Sequence, residues 1–152
     1  MKAISKLAIP LILLGVVAVG TKVEAKPKYF CPQYHSLLRK YNLPIKIFDP
    51  IMWRESRCQP QAIGWNYKYG KSERDCKLSP AKTYRKCKAV RSYDSGLLQI
   101  NSSWKTVTAQ VCGAKFGDLS VLLKPECNVR VAAVLFDNGN GLSNWKASSG
   151  RN

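Results

Sequence analysis

Glu55, in the run Trp53-Arg54-Glu55-Ser56-Arg57-Cys58-Gln59-Pro60, is the carboxyl best suited to acid–base chemistry. The residues before it predict a short amphipathic helix, with Asp49 as N-cap and Pro50 as the first helical residue. Phe48, Ile51 and Met52 precede Glu55 by seven, four and three positions, so on a helix they share its face. Glu55 then lies on an apolar stripe, where a carboxylic acid resists ionising. A general acid near neutral pH has that property. Taken alone, the segment also allows an ion pair with Arg54 or Arg57. The second carboxyl is Asp94, which opens Asp-Ser-Gly-Leu-Leu-Gln-Ile-Asn-Ser-Ser-Trp, residues 94 to 104. The other acids have simpler expected uses. Asp118 and Glu126 suit helix starts, Glu73 and Asp75 suit pairing with nearby Lys or Arg, and Asp137 suits a turn.

The elements that must position these groups are mainly helical. A first helix is expected from Gln33 to Tyr41, with Leu37 and Leu38 inward, and the Glu55 helix follows. Residues 66 to 91 are polar and basic and read as a long disulfide-tied excursion with little regular structure. Leu97 to Ile100 is a short apolar run after Gly96. Thr106 to Val111 is expected to form a short helix. After Pro125, Val129, Ala132, Ala133 and Phe136 recur at helical spacing, ending at the turn signal Asp137-Asn138-Gly139-Asn140-Gly141. Ser143 is expected to cap a last turn holding Trp145. The fold class is therefore mainly α, of the α+β kind: one helical domain with a small irregular or β middle segment, disulfide-bonded.

Residues 1–25 have the pattern of a secretory signal peptide. Lys2 and Lys6 precede the uncharged apolar run Leu7 to Gly20, and Val23-Glu24-Ala25 supplies a cleavage site. That run is shorter than the ~20 apolar residues of a spanning helix, so a retained anchor is the lesser reading. Residues 26–152 then form one domain. All six cysteines lie within it, and an even number in an exported domain predicts three disulfides. Cys76 with Cys87, and Cys112 with Cys127, are the simplest local pairs. With no Cys-x-x-Cys pair and a single histidine, His35, no zinc or other metal is expected, and no cofactor.

The net charge of +16 implies an anionic partner. Nucleic acid is disfavoured by the secretory leader and the absence of a nucleic-acid motif. The basic residues are spread along the chain, so stable membrane insertion after leader removal is not expected either. Anionic cell-wall polymers match best, with a merely solubilising surface as the alternative.

Together, Glu-Ser-x-x-x-x-x-Ala-x-Gly from Glu55 and Gly-Leu-Leu-Gln-Ile-Asn from Gly96 resemble the lysozyme superfamily, over roughly residues 33 to 147. The order of these elements is similar to that in the soluble lytic transglycosylases, and the Asp94 segment resembles animal c-type lysozyme. Residues 133 to 141, Ala-Val-Leu-Phe-Asp-Asn-Gly-Asn-Gly, resemble the transglycosylase Ala-x-x-Tyr-Asn-Ala-Gly-x-Gly element, with Phe136 in place of the Tyr. The resemblance implies a secreted, periplasmic or wall-associated monomer that cleaves the β-1,4 bond between N-acetylmuramic acid and N-acetylglucosamine in peptidoglycan glycan strands. Glu55 would be the catalytic acid and base of a lytic transglycosylase. Alternatives are a hydrolytic muramidase that also uses Asp94, and a non-catalytic cationic wall-binding or antimicrobial protein. The Glu55-to-Asp94 interval is longer than in c-type lysozyme, and Asp94 is expected either at the site or in a turn-capping role. The resemblance also implies that Gln99 and Asn101 line the sugar groove, where amides both donate to and accept from hydroxyls. Their other expected use is to hold backbone. Of the aromatics Trp65, Tyr67, Tyr69 and Trp104, Trp65 is taken as the sugar platform, with core packing as its alternative.

Overall fold

The computed structural model describes residues 29–76, 87–136 and 141–146. The leader expected over 1–25, the centre of the basic excursion and the Asp137 turn lie outside these residues. Within them the chain is a mainly helical α+β domain with one small antiparallel sheet and three disulfides.

A 3-10 turn, Pro32–Tyr34, leads into α1, His35–Lys40, and α2 spans Ile45–Ser56. α2 begins well before Asp49. Pro44 is its N-cap and Pro50 lies inside it, where a proline forfeits one backbone bond of the helix. Asp49 is therefore not the cap of its own helix. It is buried, and its carboxylate accepts from the backbone N–H of Phe30 (2.7 Å) and of Cys31 (2.9 Å) and bonds His35 Nε2 (2.7 Å). Asp49 thus satisfies two backbone donors at the entry to the amino-terminal turn, from inside another helix. Phe48, Ile51 and Met52 are fully buried, as the apolar spacing predicts.

β1 (Ile63–Tyr67) pairs antiparallel with β2 (Val90–Ser95), and β2 with the short β3 (Ile100–Asn101). The expected excursion, residues 66 to 91, has little regular structure among its described residues beyond its ends and the 3-10 turn Glu73–Cys76. Its two ends are strands, with Tyr67 opposite Val90, and Cys76–Cys87 ties the connection between them. α3 (Lys105–Cys112) and α4 (Pro125–Leu135) follow, joined by Cys112–Cys127. Trp145 closes the core from a final 3-10 turn, Ser143–Trp145. Ser143 makes no side-chain cap there. The Trp145 Nε1–H donates to Leu98 O at 2.9 Å, and Phe48 packs edge-on against both Trp145 and Phe136.

The β2–β3 turn is held by a buried side chain. Asn128, on α4, donates to Ser95 O (2.8 Å) and Leu122 O (3.0 Å) and accepts from the Leu98 N–H (2.8 Å). Gly96 makes room for it. Its φ is +79°, and a Cβ there would sit 2.2 Å from Leu122 O and 2.3 Å from Asn128 Nδ2, closer than any side chain tolerates.

Candidate active site

Residues paired across strands lie on one face of the sheet, and successive residues alternate faces. Gly64 is opposite Asp94, and Asp94 opposite Asn101. Asn66, two residues beyond Gly64, shares that face. The half-buried Asp94 carboxylate is held between two amides. Asn66 Nδ2 donates to Oδ2 and Asn101 Nδ2 donates to Oδ1, each at 2.7 Å. Both amides also donate to Ser92 Oγ at 3.2 Å. Such charge-assisted bonds on both oxygens set the carboxylate's orientation. Asp94 is thus a strand residue and not a turn cap. β1 and β2 pair on the near side of the disulfide-tied connection between them, so Asp94 lies in the sheet.

Asp94, Gln99 and Asn101 line one cavity of about 200 Å3, together with Ile100, Trp104, Leu135, Asn144 and Trp145. The expected groove amides behave differently from free sugar ligands. Gln99 Nε2 donates to Gly96 O (2.9 Å) and Ala62 O (3.2 Å). Its Oε1 lies 2.9 Å from where a Gly64 Cβ would stand, so Gly64 is what lets this side chain lie against β1. Asn101 Oδ1 accepts from the Ser103 N–H (2.9 Å) and caps the 3-10 turn Ser102–Trp104. The polar hydrogens of both amides are committed to holding the site's shape and its carboxylate.

Trp65, the expected platform, is not among the residues that line this cavity. It pairs with Tyr93 on the opposite face of the sheet, the two rings 5.4 Å apart. The aromatic walls are Trp104 and Trp145 instead. Asn66, Ser92, Asn128 and Trp145 are the contributors that sequence reasoning missed. Two-residue spacing puts Asn66 on Gly64's face, but only the β1–β2 register puts that face over Asp94.

Glu55 is half-buried in the last turn of α2 and continues the stripe of Phe48, Ile51 and Met52. It is not among the cavity's lining residues. α2 ends immediately after it. Ser56 Oγ bonds back to Met52 O (3.1 Å), Arg57 takes the left-handed conformation (φ 55°), and Cys58 is tied to Cys31. Phe48, on the same α2 stripe, contacts Trp145, which walls the cavity. The stripe that carries Glu55 and the cavity that holds Asp94 therefore meet at one tryptophan.

No protein-family model matches this chain, and neither a curated protein nor a solved structure matches it. Among the described residues no cluster of His, Cys, Asp and Glu is arranged to hold a metal. No helix among them is long and apolar enough to cross a membrane. Three disulfides fit an oxidising, extracytoplasmic compartment.

Proposed function

We propose that the protein cleaves peptidoglycan glycan strands, with Glu55 as general acid and Asp94 as the second carboxylate of a lysozyme-like site. One observation carries this reading: Asp94 is fixed by two amides in a cavity walled by Trp104 and Trp145. Cleaving a glycosidic bond takes a proton donor for the leaving oxygen and a partner for the oxocarbenium-like charge on the sugar. A carboxylate held at both oxygens supplies the second, and the half-buried, flat ring of Trp104 suits a sugar ring. The order of elements supports the same reading. A helix bearing the acid precedes a three-stranded antiparallel sheet bearing the second carboxylate, and helices follow.

In the step proposed, the Glu55 carboxyl gives its proton to the glycosidic oxygen as the C1–O bond breaks. The leaving chain departs as an alcohol, and Asp94 faces the charge on C1. A water oxygen then bonds to C1 and its proton returns to Glu55.

The second reading is the lytic transglycosylase, in which Glu55 takes its second proton from the muramic acid 6-hydroxyl and that oxygen closes on C1. The resemblance supports it, but two observations favour hydrolysis. The transglycosylase tyrosine is Phe136 here, packed edge-on against Phe48 with no hydroxyl to offer, and a carboxylate other than Glu55, that of Asp94, lines the cavity. Mass spectrometry of digested peptidoglycan separates the routes. Free reducing ends are expected, and 1,6-anhydromuramic ends would establish the second reading. Glu55→Gln is expected to lower the rate by at least about 100-fold. Undiminished lysis by that variant would leave only a charge-driven, non-catalytic action.

A further inference from the structure

We propose that the concave surface between α1 and the start of α2 binds the terminal carboxylate of a short peptide. It is a shallow, open depression of about 480 Å3. Leu43, Pro44 and Ile45 give it an apolar base, and Arg39, Lys46 and Tyr29 stand around them, exposed to solvent. Among the described residues neither Arg39 nor Lys46 makes an ion pair.

Two unpaired cations over an apolar base select for an anion carried on an aliphatic arm. The Arg39 guanidinium matches the two oxygens of a carboxylate, and Lys46 adds a compact charge. The positive end of the α2 dipole lies at the same place. A polyol-phosphate chain would answer the cations but leave the apolar base uncovered. The last residue of an aliphatic peptide answers both. The site is separate from the proposed site of cleavage. Lys46 and Glu55 lie near opposite ends of α2, about 14 Å apart along its axis. The peptide's source, the stems attached to wall glycan, rests on the wall-directed reading, but the binding itself does not.

The test titrates N-acetyl-Ala-Ala-Ala, with a free carboxylate, into the isotope-labelled protein and follows amide chemical shifts. The shifts are expected to centre on residues 39 to 46, with a dissociation constant on the order of 1 mM. Binding should be at least about tenfold weaker for the C-terminally amidated peptide, and for the Lys46→Glu and Arg39→Ala proteins. Equal binding of the amidated peptide overturns the proposal, as do shifts centred on residues 94 to 104. Displacement by inorganic phosphate at equal affinity overturns the choice of a peptide. Glu55→Gln is expected to bind the peptide unchanged, so loss of cleavage and loss of this site are read separately.

Discussion

Asn66 and Asp94, 28 residues apart in sequence, meet side chain to side chain at 2.7 Å across β1 and β2. Asn66 is exposed and contributes nothing to the core, so its contact with Asp94 is a positioning one. Asn66→Ala is expected to lower the rate of glycan cleavage by about tenfold, the worth of one charge-assisted bond, while the melting temperature stays within a degree or two of the parent's. Asp94→Asn should cost about 100-fold or more if the carboxylate faces the sugar's charge. The double variant should be no slower than Asp94→Asn alone, because the two act as a unit. Additive losses in steady-state kinetics would separate the two residues.

Asn128 links α4 to the β2–β3 turn through three hydrogen bonds. Asn128→Ala strands the Leu98 N–H in the core and should destabilise the fold by about 3 kcal/mol or more. Gly96→Ala is expected to be at least as damaging, since its Cβ meets Leu122 O and Asn128 in a left-handed backbone. Denaturant unfolding measures both. A loss under about 1 kcal/mol for either would mean the turn relaxes freely.

Asp49 satisfies two backbone donors and His35 from the interior of α2. Asp49→Ala is expected to cost about 2–4 kcal/mol. Hydrogen exchange should rise first at Phe30 and Cys31, ahead of the α4 core. Uniformly raised exchange would instead mark a global effect.

The Lys40–Glu126 pair sets a pH dependence. Its bond to Lys40 (2.6 Å), then that from the Tyr41 hydroxyl, holds the Glu126 carboxyl below its ordinary value of 4.5. The bond to Glu126 raises Lys40 above 10.5. Glu126's contribution is present above its unfolded value and fades as pH falls through the lower folded one. Lys40's is present below 10.5 and fades as pH rises through the higher folded value. The difference in melting temperature between the parent and Glu126→Gln should therefore persist at neutral pH and vanish in acid below the carboxyl range. A difference unchanged in acid would show that the ion pair is not its source. High salt should shrink it, because both side chains are largely exposed.

Helices α2, α3 and α4 are legible in the chain because their signals are local. Apolar residues recur at helical spacing, and Pro125 marks a start. The pairs Cys76–Cys87 and Cys112–Cys127 follow from proximity in sequence. Glu55 stands out by its apolar stripe, and Asp94 by elimination of the other acids together with the resemblance of its segment to c-type lysozyme.

Tertiary structure decided what those groups touch. Asp49 looks like a local cap until the amino-terminal turn folds onto it, since no local pattern announces a partner 18 or 19 residues earlier. Asn66 becomes a partner of Asp94, Trp65 faces away, and Trp104 and Trp145 become the cavity walls. Those outcomes depend on β1–β2 register, and a shift of one residue would exchange the two faces. Periodicity along one strand identifies its alternating faces, but only pairing with another strand determines which face closes over the carboxylate.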